Sequence, residues 1–263
     1  MRLSFDEGRR QSSASEIIDI GCELVHQLTF AARRNVRENH WLGLVARHCL
    51  VGEKGATAVK EICRKLRESV SKSETYAFHH SELLQSLVNA QPLAALEGLC
   101  GDDNESLRVG LSIMDQGSQL RRNAFDSVPE TDLLSWCDQQ PITRYPAAAS
   151  AVTPFQPGEG GRPQWTGTAR KLLDKAPDRV SVLKRFVDQF VPAGSVRSQA
   201  AILTNNSQLL DDLADYPDTA VTQFVTSQKA RLSQAIESQG ELETRQGELE
   251  SLIQWDRDER FEY

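Results

Sequence analysis

Apolar residues along this chain recur three and four positions apart, the period of a helix with one buried face. Ile17, Ile18, Cys22, Leu24, Val25 and Leu28 follow that spacing behind Ser13 or Ser15, either of which can cap a helix start. A second helix is expected over Val36–Leu50, stopped by Gly52 and Gly55, and a third over about Thr57–Ser73 with Val59, Ile62, Cys63, Leu66 and Val70 on one face. Ser81 starts a run through Leu83, Leu84, Leu87 and Val88. Pro92 suits the first turn of the next short helix, which ends near Gly101. Asp102, Asp103 or Asn104 caps a helix carrying Leu107, Leu111 and Met114. Pro129 opens one with Leu133, Leu134 and Trp136, and Pro146 opens a short alanine-rich one. No window sustains the alternation of a strand.

Residues 153–164, TPFQPGEGGRPQ, interrupt this rhythm. Proline and glycine at that density predict an exposed loop or hinge that continues neither helix nor strand. Two better-marked helix pairs follow. One covers about 165–175 with 179–191, and the other about 205–215 with a long helix from Thr219. Within them LLDKAPD (172–178) and LLDDLADYPD (209–218) read as one unit written twice, some forty residues apart, each closing on a Pro-Asp step. A two-helix repeat of that length is the signature of an α-solenoid. The reading divides the chain into a helical region 1–152, the Pro/Gly-rich loop 153–164, and helix pairs with a terminal helix over 165–263. Leu232, Ile236, Leu242, Leu249, Leu252 and Ile253 form a thin apolar stripe on that last helix, which Gly240 and Gly247 weaken.

Composition narrows the function. Apolar residues make up 39% and aromatic residues 6% of the 263, which suits helices that each bury one stripe. The net charge of −7 argues against a dedicated nucleic-acid binder. Basic residues concentrate before residue 73, where Arg33, Arg34, Arg37, Arg64, Lys65 and Arg67 are candidates to meet an acidic partner. Cys22, Cys49, Cys63, Cys100 and Cys137 are odd in number and set in apolar runs, as expected of reduced thiols in a cytoplasmic protein. The opening MRLSFDEGRR has no apolar core of the kind a secretory leader carries, and no run approaches the roughly 20 residues of a membrane span.

Candidate chemistry is sparse. His40 and His48, two helical turns apart, with Cys49 and Cys63, lack the tight spacing of a zinc site. The GEGG segment at 158–161 lacks the lysine of a phosphate loop and follows no apolar strand. The basic run after Cys63 could favour a thiolate, whereas helix burial would suppress it. No catalytic, cofactor or metal residue is assigned. Trp255 and Phe261, in the charged ending QWDRDERFEY, are candidate anchors for a partner.

The order Trp165, LLDKAPD, VLKRFVDQFVP (182–192), the SQAAI run (198–202), LLDDLADYPD and RDERFE (257–262) resembles the HEAT-like helical C-terminal region of large bacterial multidomain proteins. Many of these carry an NTPase or other effector domain further N-terminal, and some act in phage defence. That pattern has a Trp-Ser-Gly-Ser-like turn before the Ala-Ala-Ile run, and here Ala193–Ser198 lacks the Trp. The resemblance implies a stand-alone relative, or a piece, of a larger protein, with no catalytic residue carried over. The expectation is therefore an all-α, HEAT-like solenoid acting as a non-enzymatic interaction or sensor module in anti-phage defence, with a protein partner or a missing N-terminal effector domain. The alternatives are a nucleic-acid scaffold using the basic N-terminal helices, and an enzyme with a site near residues 153–168.

Overall fold

A computed structural model describes residues 16–24, 27–30, 36–116, 124–190 and 198–259. Ser13, Ser15, Arg33, Arg34, Phe261 and the turn Gly194–Arg197 lie outside the described residues. Arg37 and Trp255 are placed as backbone only. Among the described residues the protein is all-α apart from one small hairpin, and the chain separates into two compact units, Met1–Thr153 and Pro154–Tyr263.

The first unit contains α1 (16–24), α2 (Val36–Cys49), α3 (Gly52–Ser71), α4 (Ser81–Ala90), α5 (Pro92–Cys100), α6 (Asn104–Gln116), α7 (Glu130–Gln139) and α8 (Pro141–Ala151). Short 3₁₀ turns at Ala77–His80 and Ala124–Ser127 precede α4 and α7. The links α4–α5 and α7–α8 are each a single glutamine followed by proline. Gln91 (φ −146°, ψ 74°) and Gln140 (φ −142°, ψ 71°) adopt nearly the same conformation. Proline excludes the α region for the residue before it, then opens the next helix where a backbone N–H would have no partner. Each Gln-Pro step thus ends one helix and starts another in the same place. Pro146 lies inside α8, and Pro141 opens it. That corrects the expected start, because Gln140-Pro141 already supplies the break.

Alternate helices stack. α2 packs on α4, α3 on α5, α5 on α7, and α6 on α8. The core follows three rows that each step 37 residues along the sequence: Val59, Leu96 and Leu133; Ile62, Leu99 and Trp136; Cys63, Cys100 and Cys137. All nine side chains are fully buried. A Cβ on Gly98 would lie 2.3 Å from the Lys60 carbonyl oxygen, so α3 and α5 touch backbone to backbone. Gly52 begins α3 and Gly55 lies in its first turns, packed against the Leu50 backbone. They were expected to break the chain through to Thr57. Glycine instead lets the helix start beside the end of α2.

Arg144 of α8 is 2% exposed and closes the far end of this stack. Its guanidinium donates to the Trp136 carbonyl (3.0 Å), Gln139 Oε1 (2.6 Å), the Gly101 carbonyl (3.4 Å) and Asp102 Oδ1 (2.9 Å), and it lies 4.9 Å over the Trp136 ring. One side chain therefore ties α8 to the last turn of α7 and to the exit of α5.

The second unit opens on β1 (Phe155–Pro157) and β2 (Pro163–Trp165), antiparallel, with Phe155 opposite Trp165 and Pro157 opposite Pro163. This corrects the expectation that the Pro/Gly-rich segment could form no strand. In a two-stranded ribbon both outer edges are unpaired, so prolines cost no ladder bonds there. The Gly158 N–H to Arg162 carbonyl bond (2.8 Å) and the Thr166 N–H to Pro154 carbonyl bond (3.0 Å) close its two ends. Then come α9 (Gly167–Lys175), α10 (Arg179–Val187), α11 (Gln199–Ser207) and α12 (Thr219–Glu259). Thr166, Asp178 and Ser198 cap the first three by accepting from the N–H three residues on, and Asp218 accepts from Ala220 N–H at the start of α12. Trp165 packs its ring near Phe186 and Phe190 and donates Nε1–H to the Leu209 carbonyl (2.9 Å).

Leu173 and Leu213, each four residues before a Pro-Asp step, are both buried. Their backbones differ: Leu173 is in α9, whereas Gln208–Leu213 forms a 3₁₀ helix. The second motif is three residues longer. A 3₁₀ turn, with three residues per turn, takes up that length while keeping Leu210 and Leu213 on one face.

Candidate functional site

The predicted basic candidates that the structure describes sit on α3, and two of them face partners inside their own unit. Arg64 forms a two-bond fork with Glu61 (2.6 and 2.9 Å) and a further contact with Glu68. The Glu61 bonds, with Glu68 adding to them, push its guanidinium further toward the charged form. Arg67 donates to the Gly98 (3.0 Å) and Leu99 (3.4 Å) carbonyls at the C-terminal end of α5, where a cation is favoured. Lys65 lies half-buried between them. The structure thus brings Arg64, Lys65 and Arg67 onto one helix, pairs the half-exposed Arg64 with carboxylates of that same helix, and turns Arg67 onto the end of α5.

His40 Nδ1 lies 2.6 Å from Glu82 Oε1, and His48 is exposed. Among the described residues no three His, Cys, Asp or Glu side chains gather where they could hold a metal ion. In the GEGG hairpin, the Thr166 hydroxyl caps α9 and so faces its own helix. Burial pushes the Cys63 thiol well up, Cys100 to about 12, and Cys137 above its ordinary value. The basic run near Cys63 therefore does not produce a thiolate, since desolvation decides.

A cleft that sequence reasoning missed opens where the two Pro-Asp motifs meet. Asp174, Arg179, Tyr216, Pro217 and Asp218 line about 510 Å³. Arg179 donates to Asp218 Oδ2 (2.9 Å) and to the Asp174 carbonyl (3.1 Å), and the Tyr216 hydroxyl donates to Asp174 Oδ1 (2.6 Å). Burial first, and then the bond to Asp174, raise the Tyr216 hydroxyl to about 12. The Arg179 bond and the backbone N–H groups of Ala220 and Val221 hold Asp218 below the usual carboxylate range. At neutral pH these groups sit in fixed protonation states, and the cleft's hydrogen bonds join the end of α9 to the start of α12. The signal was present in the recurring Pro-Asp steps. What the sequence did not show is that Arg179, after the first step, reaches Asp218 of the second.

Bridges of this kind recur at similar separations in sequence. In the first unit His40–Glu82, Gln85–Ser127, Glu97–Gln139 and Asp102–Arg144 each span 42 residues and Lys60–Glu97 spans 37. In the second, Asp174–Tyr216 spans 42, Arg179–Asp218 spans 39 and Trp165–Leu209 spans 44.

Large apolar side chains also remain at the surface. Trp41, Tyr76 and Phe78 are exposed, and the rings of Tyr76 and Phe78 stack at 5.6 Å with His79 against Phe78 at 4.2 Å. On α12, Leu242 and Leu249 are 57% and 60% exposed. Among the described residues no helix is long and apolar enough to cross a membrane. Fold and surface together define an all-α protein of stacked helices. No protein-family model, curated protein or solved structure matches the chain.

Proposed function

We propose that the chain is a non-enzymatic, HEAT-like helical scaffold that docks a protein partner. The observation carrying this reading is the recurrence of interhelix bridges at 37 to 44 residues in both units. Successive elements are joined through similar spans of chain, as in a solenoid whose units contact only their neighbours. The polar side chains of the cleft, Asp174, Arg179, Tyr216 and Asp218, are engaged in those bridges. The stacked aromatics of Tyr76 and Phe78 offer the kind of exposed anchor that dominates interface energies. Protein is favoured over nucleic acid because Arg64 and Arg67 are satisfied internally. A role in anti-phage defence rests on the family resemblance and is tested separately, by phage plating on cells with and without the gene.

A photo-crosslinking residue placed at Phe78 tests the docking reading in the native host. One defined protein should crosslink, and Tyr76→Ser should abolish the adduct while leaving the circular dichroism spectrum unchanged. An adduct with nucleic acid, or no adduct, would overturn it.

A further inference from the structure

α12 carries a second apolar stripe that its own unit does not use. Its packed face runs through Val221, Val225, Leu232, Ile236 and Glu243, against α10, α11 and the 3₁₀ turn before it. Glu243 ends that contact by accepting from the backbone N–H groups of Gln199 and Ala200 and from the Ser198 hydroxyl. Leu242 and Leu249 point about 100° away from this face, since adjacent helical residues diverge by that angle. They are seven apart, and Ala235 precedes them by seven more. Seven-residue spacing keeps a stripe aligned along a supercoiled partner helix, so these are d positions of a heptad. Gln246 falls at a, Glu250 at e and Arg245 at g, whereas Gln239 and Glu243, at the preceding a and e positions, are half-buried on the packed face, so the free heptads begin at Leu242.

We propose that residues 242–259 of α12 pair with the same segment of a second copy as a parallel two-stranded coiled coil. Charge selects both occupant and direction. In a parallel pair g faces e of the partner helix one heptad on, which sets Arg245 against Glu250 of the second copy twice, once on each side of the Leu249 layer. An antiparallel pair would bring e edges together and set Glu250 near the carboxylates of the second copy's e edge, which like-charge repulsion disfavours. Gln246, at a, now bonds within its own helix to Glu250. Across a two-fold axis the two copies of Gln246 can bond to each other instead, the kind of polar a-position contact that fixes register at a cost in stability. Gly240 and Gly247 fall at outward b positions with open space around them and do not obstruct the pairing. The inference rests on α12 alone and is independent of the repeat reading above.

Sedimentation equilibrium of the full chain over a wide concentration range tests it. A monomer–dimer equilibrium is expected at high protein concentration. Leu249→Asp should abolish it. Arg245→Glu and Glu250→Arg should each weaken association at least tenfold, and the double charge swap should restore it. A Leu249→Cys variant should then form a symmetric disulfide under mild oxidation, which only parallel pairing in register permits. A chain that stays monomeric at millimolar concentration, a dimer indifferent to Leu249→Asp, or a double swap that fails to rescue would overturn the proposal.

Discussion

At the scale of single residues, the balance between burial and partners decides what a side chain does. Arg144 is 2% exposed whereas its ion-pair partner Asp102 is 88% exposed. Removing the exposed partner leaves Arg144 its carbonyl bonds, so Asp102→Ala should cost less than about 1 kcal/mol. Removing the buried one empties a packed site over Trp136 and strands two carbonyls, so Arg144→Ala should cost several-fold more, about 2–4 kcal/mol. Urea denaturation of both variants checks the asymmetry, and equal losses would contradict it. Gly98 poses a sharper competition. Alanine is the better helix former by about 1 kcal/mol, but its Cβ would sit 2.3 Å from the Lys60 carbonyl. Overpacking of that kind costs about 1–3 kcal/mol. Gly98→Ala should therefore lower the urea midpoint despite its better propensity.

At the scale of elements, the Pro-Asp motifs make a comparable pair. Leu173 and Leu213 are both buried, one in an α-helix and one in a 3₁₀ turn. If depth rather than backbone type sets the cost, alanine at either position should lose a similar amount, about 2–5 kcal/mol. Chemical denaturation of the two variants compares them directly, and a several-fold difference would show that the motifs are not equivalent. Local signals were strong at this scale. The Pro92 start of α5, the opening of α12 just after Asp218 and the apolar face of α3 follow from residue type and spacing, whereas the expected start of α8 falls at Pro146 rather than at the Gln140-Pro141 step. The hairpin was hidden because prolines read as breakers until their place on unpaired edges is known. The start of α3 at Gly52 was hidden because a glycine in sequence does not reveal the neighbour it approaches.

At the scale of the whole molecule, ionisation sets the pH range of stability. Burial opposes ionisation of Glu97, but its bonds to Lys60 and Gln139 outweigh this and hold its carboxyl below the ordinary 4.5. Asp103, Asp178 and Asp218 lie below their ordinary 3.8, chiefly through hydrogen bonds to Ser106, Ser181 and Arg179. Groups with lowered values stabilise the fold above their unfolded values, and that contribution is lost as pH falls through the folded ones. Stability should therefore decline below about pH 4.5, and Glu97→Gln should flatten part of the decline. The buried thiols Cys63, Cys100 and Cys137 act in the opposite direction. Their raised values stabilise the fold below the ordinary 9.0, and this contribution is lost as pH rises above it. Denaturation midpoints measured from acid to alkaline pH should trace a plateau between these limits. A flat profile would mean that these groups titrate alike in the folded and unfolded chain.

The helical class of the protein, most of its helix boundaries and the two Pro-Asp motifs follow from the sequence alone, because period, caps and prolines act within a few residues of where they are written. The candidate site does not. The steps of 37 residues linking Cys63, Cys100 and Cys137 were written in the sequence, but they acquire meaning only when α3, α5 and α7 are seen stacked. Whether a charge is available depends on its partners in the folded chain: Arg64 reads as part of a basic patch until Glu61 and Glu68 of its own helix close on it, and so does Arg67 until it reaches the end of α5, some thirty residues on. Hydrogen bonds and desolvation depend on distance in space, and only the tertiary structure sets that distance.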